Sequence, residues 1–281
     1  MLDFKEIAEK LDAVDRKKGD EKFTDYVGFN QAVEDTLSHM TTAMFPNCFG
    51  DTNTILGATM KRERELLQAY NSLVIALGFV VNEDQIKEYA TRLIEKLPEI
   101  QEILKSDIRA AYEGDPSAKS EDEIILTYPA FRAISTYRIA HELYLLGVPT
   151  LPRKMTELAH TLTGIDIHPG ATIGRSFFID HGTGVVIGET TVIGEHVKLY
   201  QHVTLGAKSF QANPDGTLVK DIKRHPNLGD NVIVYSGATV LGGDTYIGEG
   251  SEIGGSVWLT ESVPPHTIVL NRHPESKKIE K

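Results

Sequence analysis

Residues 166–209 read DIHPGATIGRSFFIDHGTGVVIGETTVIGEHVKLYQHVTLGAKS, and within this stretch aliphatic residues recur at every sixth position. The spacing continues beyond the stretch, and the positions form four series: Ile167, Ile173, Ile179 and Val185; Ile187, Ile193, Leu199 and Leu205; Leu228, Val234 and Val240; Ile247, Ile253 and Leu259. Neither a helix, with its period of 3.6, nor a strand, with its period of two, explains a period of six. Short strands joined by corners and stacked into a parallel β-helix do explain it, because each unit buries its aliphatic side chain only against its neighbours.

The rest of the chain divides around this repeat. The interval from Leu205 to Leu228 is too long for one unit, and it predicts a loop at 209–225 that protrudes from the coil. From Leu2 to Thr163 the apolar residues follow helical spacing instead. The predicted fold class is therefore α+β, with a helical N-terminal domain at 1–163, a β-helix domain at 164–267 and a C-terminal tail at 268–281.

The composition is that of a globular protein of a reducing compartment. Lys and Arg number 29 against 40 Asp and Glu, a net charge of −11, and an acidic surface repels nucleic acid and anionic membranes. The longest apolar run, Leu73 to Val81, is too short to cross a bilayer. Cys48 is the only cysteine, which excludes an intramolecular disulfide and a multi-cysteine zinc site. We expect a cytoplasmic protein without nucleic-acid or membrane partners.

Specific residue patterns lie in and around the repeat: residues 166–209, KRHP at 223–226, GATVLGGDTYIGEGSEIGG at 237–255, VPPHT at 263–267, and, upstream, DIRAAYEGDPSA at 107–118 and FRAISTYRIAHEL at 131–143. Together they resemble the serine acetyltransferases of the hexapeptide-repeat acyltransferase superfamily. The resemblance implies a left-handed parallel β-helix after the helical domain. It also implies assembly as a homotrimer or a dimer of trimers, with active sites between neighbouring coils.

The resemblance also implies a reaction. An acetyl group passes from acetyl-CoA to the hydroxyl of L-serine and gives O-acetyl-L-serine and CoA, the first step of cysteine biosynthesis. L-Cysteine is then the expected feedback inhibitor at the serine site, acetyl-CoA is the cosubstrate, and no metal is expected.

The reaction needs a general base, because a protonated serine hydroxyl is a poor nucleophile. Histidine titrates in the useful range, and His181 of IDHGTG matches the base of the family motif. A base also needs an acceptor on its second ring nitrogen to fix the tautomer. By resemblance, Asp166 of DIHP takes that role.

The acceptor is a zwitterion, so its pocket should offer carboxylates to the ammonium group and a cation to the carboxylate. Asp115 and Asp180 match the family's ammonium-binding positions, and Arg224 and His225 match its carboxylate-binding pair. Arginine provides the bidentate geometry that a carboxylate prefers. His225 is also expected to donate towards the developing oxyanion. Glu189 matches a family position near the active site without an indicated role.

The CoA arm is expected to lie along the β-helix beside small residues. By alignment these residues are Gly206, Ala207, Ser236, Gly237 and Gly255, with Lys208 meeting a phosphate.

Other functions stay open at this point. A hexapeptide acetyltransferase could act on another hydroxyl acceptor, such as homoserine or a sugar. The histidines of the coil also suggest the zinc carbonic anhydrases of similar fold, but no motif of that class surrounds them. A scaffold without activity would not need Asp166, Asp180, His181, Arg224 and His225 together.

The C-terminus departs from the family pattern. Relatives often bind O-acetylserine sulfhydrylase through a tail that ends in isoleucine, whereas Glu280 and Lys281 follow Ile279 here. Moving these two charges into a pocket without partners is costly. We therefore do not expect a tail-mediated complex with the sulfhydrylase.

Overall fold

The computed structural model describes residues 4–16, 26–50 and 57–272. Ile279 and its neighbours lie outside this part, so the prediction for the sulfhydrylase complex is not tested. Helices occupy the N-terminal region: α1 Phe4–Arg16, α2 Phe29–Met44, α3 Ala58–Gly78, α4 Glu83–Gly114, α5 Glu121–Thr127, α6 Pro129–Leu145 and α7 Leu151–Thr163.

Short strands follow from Asp166 onwards: β1 Asp166–Ile167, β2 Thr172–Ile173, β3 Phe178–Ile179, β4 Val186–Ile187, β5 Val192–Ile193, β6 Lys198–Leu199, β7 Thr204–Gly206, β8 Asn227–Leu228, β9 Ile233–Val234, β10 Thr239–Leu241, β11 Tyr246–Ile247, β12 Glu252–Ile253, β13 Trp258–Leu259 and β14 Ile268–Val269. They form three parallel sheets. Sheet 1 has the order β1-β4-β7-β10-β13, sheet 2 the order β2-β5-β8-β11, and sheet 3 the order β3-β6-β9-β12-β14. A helical region followed by parallel strands was predicted and is confirmed.

The period of six follows from this architecture. Each strand is two or three residues long and turns one aliphatic side chain inward, so Ile167, Ile187 and Leu205 stack above one another in sheet 1 and are almost fully buried. A residue on the outer face precedes each of them. Each coil is therefore stabilised by the coils above and below it.

Two segments between the strands differ from the regular coil. Between Gly206 and Asn227 the chain forms no regular strand, and an isolated antiparallel bridge pairs Ala212 with Leu218 within the segment predicted as a loop. The last strand, Ile268–Val269, pairs with β12 and extends the coil past residue 267, where the sequence predicted the tail to begin. The repeat is hard to follow there because VPPHT replaces one regular unit.

The corners between the sheets carry the polar residues. We call the turns from sheet 3 into sheet 1 the 3–1 corner, and the turns from sheet 1 into sheet 2 the 1–2 corner. The 3–1 corner comprises residues 180–185, 200–203, 235–238 and 254–257, and the 1–2 corner comprises residues 168–171, 188–191, 207–226 and 242–245. Both corners run the length of the coil, on opposite edges of sheet 1.

A buried ion pair joins the helical region to the coil. Arg138 of α6 pairs with Asp107 of α4 at 3.1 Å, and its guanidinium also donates to the carbonyl oxygens of Ile173 (2.5 Å) and Gly174 (2.6 Å). The Asp107 carboxylate accepts from the backbone N–H of Phe177 at 2.9 Å. Two helices and the first coil are thereby held in one arrangement.

None of the described helices combines the length and the apolar character that a membrane crossing requires.

The junction gives a test of stability. Replacing Arg138 by Met leaves the buried Asp107 without its partner, and we expect a loss of about 3–5 kcal/mol in the free energy of unfolding. The double variant Asp107→Asn/Arg138→Met, which has no unpaired charge, should recover much of this loss. Urea unfolding followed by circular dichroism measures both variants. Arg92→Met, which breaks the exposed pair with Glu88, is the control, and an equal loss there would contradict the account.

Candidate active site

His181 and Asp180 lie in the first turn of the 3–1 corner. His181 takes a left-handed backbone conformation, with φ of 59°, in a corner that is two residues longer than residues 200–203, the next turn of the same corner. This conformation turns the imidazole outward, and 72% of the side chain is exposed. Its Nε2 atom is 3.8 Å from Oδ1 of Asp180. A histidine in this position can reach a ligand outside the coil.

Lys198 is a further charged residue at this site that the sequence analysis missed. Its ammonium group lies 3.4 Å from Oδ2 of Asp180 and donates to the carbonyl oxygen of Gly114 at 2.8 Å. It also lies over the rings of Phe178 (4.8 Å) and Tyr200 (4.6 Å). The outward position of Lys198 on β6, beside Phe178 of β3, was the sequence signal that could have found it.

Asp115 reaches the same region from the helical part of the chain. It caps α4, and its carboxylate accepts hydrogen bonds from the Tyr128 hydroxyl (2.5 Å) and the Ser117 backbone N–H (2.8 Å). The Tyr128 bond above all lowers the pKa of Asp115, and the charge of Lys198 contributes less. The ammonium group of Lys198 thus contacts both Asp180 and the end of α4, where Asp115 lies.

Asp166 does not make its expected contact. Its carboxylate is 3.2 Å from Arg153 of α7, and across the described ranges no ion pair joins it to His181. Because Asp166 faces outward from β1, the packing of α7 decides which cation it meets. Among the described residues, the carboxylate that forms an ion-pair contact with His181 is that of Asp180.

A possible cation site lies beside Asp166. Ligand atoms of Glu157, His160 and Asp166 lie within 4.8 Å of one another. Arg153 pairs with both carboxylates, so their charge already has a cationic partner.

Arg224 lies on the opposite edge of sheet 1, at the 1–2 corner. It forms an ion pair with Glu189, which also accepts a hydrogen bond from the Tyr144 hydroxyl at 3.2 Å. Burial by itself raises the pKa of Glu189, but the hydrogen bond from Arg224 and the other nearby groups outweigh it, so the pKa is lowered. Glu189 therefore holds the guanidinium in place, a role that the sequence did not indicate.

His225 is a buried, neutral hydrogen-bond donor. The backbone N–H of Thr190 donates to its Nδ1 atom at 3.1 Å, which leaves the proton of the neutral ring on Nε2. Burial, followed by the charges of Arg224 and Lys223, lowers its pKa to about 4. Gly188 is needed here, because a Cβ atom at that position would lie 2.1 Å from the imidazole.

The expected CoA-binding residues also divide between the two corners. Ser236, Gly237 and Gly255 belong to the 3–1 corner, and a Cβ atom at Gly255 would lie 3.3 Å from the carbonyl oxygen of Ser236 in the coil below. Gly206 ends β7 at the other edge of sheet 1, and Ala207 and the exposed Lys208 follow it in the 1–2 corner.

The site residues form two separate groups. His181, Asp180, Lys198 and Asp115 lie at the 3–1 edge, whereas Glu189, Arg224 and His225 lie at the 1–2 edge. No hydrogen bond or ion pair between described residues joins one group to the other. One chain thus presents two different polar surfaces, with sheet 1 between them.

Comparisons with known proteins show which class of protein this chain resembles. The chain is 45% identical over 261 residues to a serine acetyltransferase of Synechococcus elongatus, which covers 87% of this chain and 82% of that relative. It resembles the structure of Entamoeba histolytica serine acetyltransferase 1 in complex with L-cysteine, with TM-score 0.79, 39% identity and coverage of 84% and 86% of the two chains. It also resembles a Brucella abortus serine acetyltransferase in complex with coenzyme A, with TM-score 0.59, 25% identity and coverage of 84% and 78%. No protein-family model matches.

The coil with its two polar corners is thus that of an acyl-CoA-dependent transferase. The chain belongs to the serine acetyltransferase family.

The lowered pKa of His225 predicts a pH-dependent stability. The imidazole of His225 takes up a proton less readily in the folded chain than in the unfolded chain. Protonation of His225 therefore favours unfolding: the folded state keeps its full stability above about pH 6.5 and loses part of it as the pH falls towards about 4. The loss amounts to about 3 kcal/mol for a shift of this size. Urea unfolding across this range should show a smaller pH slope for His225→Asn, whose side-chain oxygen can still accept from Thr190. Equal slopes for both proteins would show that His225 is not buried as described.

Proposed function

We propose that this protein is a serine O-acetyltransferase that transfers the acetyl group of acetyl-CoA to the hydroxyl of L-serine and releases O-acetyl-L-serine and CoA. The arrangement of the two groups carries the proposal: two carboxylates beside an exposed histidine at one corner, and an arginine held by a glutamate at the other. An amino-acid acceptor requires this combination of charges.

The acceptor would bind through its two charged ends. Asp115 and Asp180 would receive the ammonium group, and Arg224 would receive the carboxylate. Lys198 compensates one of the two carboxylates, so this side of the pocket matches a single positive charge. A sugar has neither charge, so it would form no ion pair with either side of the pocket.

The residues suggest direct transfer of the acetyl group. His181 would take the hydroxyl proton as the serine oxygen attacks the thioester carbonyl. The tetrahedral oxyanion would accept a hydrogen bond from Nε2 of His225, which is neutral and oriented before the reaction begins. Collapse of the intermediate would break the carbon–sulfur bond, and protonated His181 would return the proton to the leaving CoA sulfur.

Two carboxylates compete for the role of orienting His181. The family resemblance favours Asp166, whereas the contacts of the single chain favour Asp180. We propose Asp166 as the orienting acceptor, with Asp180 acting mainly on the substrate ammonium group. This assignment requires the Asp166 carboxylate to leave Arg153 when the site is complete.

The assembly would complete the site. A closed ring of identical chains can bring the 3–1 corner of one copy to the 1–2 corner of the next, and every copy then contributes to two equivalent sites. We propose a homotrimer or a dimer of trimers of left-handed β-helices in the cytoplasm. CoA would lie between copies, beside Ser236, Gly237 and Gly255 of one chain, with Gly206, Ala207 and Lys208 from the neighbour.

L-Cysteine is the proposed inhibitor. It carries the same ammonium and carboxylate groups as L-serine, and the Entamoeba relative binds it. Asp115, Asp180 and Arg224 would hold both amino acids in the same way, so inhibition should be competitive with L-serine.

The acceptor and the base can be tested in one assay of CoA release. We expect release with L-serine to exceed release with L-homoserine or a sugar, and His181→Ala to lower kcat about 10²- to 10⁴-fold. His196→Ala is the matched control, because His196 is also an exposed corner histidine with φ of 57°. Faster release with a sugar would refute the acceptor, and an unchanged kcat in His181→Ala would refute the base.

The same assay separates the two aspartates. Asp166→Asn should lower kcat with little change in the KM for L-serine, whereas Asp180→Asn should raise that KM. The reverse pattern would assign the orienting role to Asp180.

Mixing two inactive variants tests the shared site. His181→Ala and Arg224→Ala alter different corners, so co-expression in equal amounts should restore activity to about a quarter of the sites, those with an intact histidine from one copy and an intact arginine from the next. His181→Ala mixed with the double variant His181→Ala/Arg224→Ala is the control, because no site then retains His181. A mixture as inactive as its components would place both corners of one site in a single chain.

A further inference from the structure

Trp258 is the single tryptophan of the chain, and it lies on the outside of the coil. It is the outward residue of β13, between the buried Val257 and Leu259, and it pairs with Thr239 of β10. In the chain described here, 70% of its surface is exposed. An indole ring offers a large apolar area, so its exposure on a sheet face indicates a surface that something covers.

The position of Trp258 continues the proposed path of CoA. Ser236 and Gly237 turn the 3–1 corner in one coil, and Gly255 turns it in the next, directly over Ser236. Trp258 follows Gly255 by three residues and begins the strand that leaves this corner. Ser236, Gly237 and Gly255 are small and would let a ligand approach the backbone closely. Trp258 follows them at the end of this row.

The distance between His181 and Trp258 along the coil matches the length of acetyl-CoA. Asp166 is on the first strand of sheet 1 and Trp258 on the fifth, so four strand spacings of about 4.8 Å separate them, or about 19 Å. His181 follows the first strand of sheet 3, about one spacing closer to Trp258. The pantetheine arm of acetyl-CoA has about 13 bonds from sulfur to the first phosphorus, or about 16 Å when extended. A thioester beside His181 therefore allows the nucleotide end to reach Trp258.

We propose that Trp258 is the stacking platform for the adenine ring of acetyl-CoA. The inference rests on the proposed function, since it takes acetyl-CoA as the donor. Stacking of a base on an aromatic ring needs no particular hydrogen-bond pattern, which suits a ring on the outer face of a short strand. Trp258 would thus bind the donor at the end opposite to the chemistry and contribute to its KM rather than to kcat.

Kinetics with two donors test the proposal. Trp258→Leu should raise the KM for acetyl-CoA about 10-fold or more, a typical effect of losing one aromatic–base stack, while kcat and the KM for L-serine change less than about two-fold. With acetyl-4′-phosphopantetheine, which lacks the adenosine, Trp258→Leu and the wild type should have equal KM values. Trp258→Phe should recover most of the affinity for acetyl-CoA.

A matched control comes from sheet 2. Tyr246 is also an exposed aromatic residue, 47% accessible, at the outward position of its strand but on a different face of the coil. Tyr246→Leu should leave both donor KM values unchanged.

Fluorescence gives an independent measurement, because Trp258 is the only tryptophan. CoA should quench its emission in the wild-type protein, and 4′-phosphopantetheine at saturating concentration should not. Equal quenching by the two, or an equal KM increase for both donors in Trp258→Leu, would overturn the proposal. A further pair of results would also overturn it: tryptophan emission already shielded from water in the absence of ligand, and dissociation of the oligomer in Trp258→Leu. Together they would show that a second copy of the chain, and not adenine, covers the ring. Serine-dependent CoA release by the wild type reports separately on the proposed function.

Discussion

The inward stacking of one aliphatic side chain per strand is the constraint on which the rest of the structure depends. A strand such as Ile187 with its outward neighbour Val186 is too short to be stable alone, and its inward side chain is buried in a stack with Ile167 below and Leu205 above. The inside of the coil is therefore filled mainly with apolar residues. Polar groups occupy the corners, where the chain turns and side chains point outward, and the corners repeat at each coil. This repetition aligns residues distant in sequence, such as Thr190 and His225, along one edge.

The charges at the two corners are held ready by neighbouring residues rather than by the ligand. Glu189 fixes the guanidinium of Arg224, and the backbone of Thr190 sets the tautomer of His225. At the other edge, Lys198 holds Asp180 and the end of α4 in place. Apart from Asp166, which would have to leave Arg153, few of these groups have to reorganise around the substrate, so the arrangement loses little on binding. The same charges explain why an uncharged acceptor should fit poorly. It would displace water from the charged groups of the pocket without forming ion pairs in exchange.

The sequence predicted those features that depend on local repetition, and failed for those that depend on packing between elements. The period of six predicted the parallel strands, and the break between Leu205 and Leu228 predicted the loop. The place of His181 at a corner followed from the same pattern. The contact of Asp166 with Arg153 could not be predicted, because it depends on how α7 lies against β1. Lys198 was missed because its role comes from the end of α4, far away in sequence. The extent of the coil at Ile268 was missed because VPPHT interrupts the repeat.

The central claim is that each active site combines the 3–1 corner of one copy with the 1–2 corner of the next. Its most direct test is a crystal structure of the oligomer with L-serine and CoA bound. The account predicts the ammonium group of serine at Asp115 and Asp180 of one chain and its carboxylate at Arg224 of a neighbouring chain. Serine bound with both of its charged groups on one chain, or away from sheet 1 altogether, would contradict it.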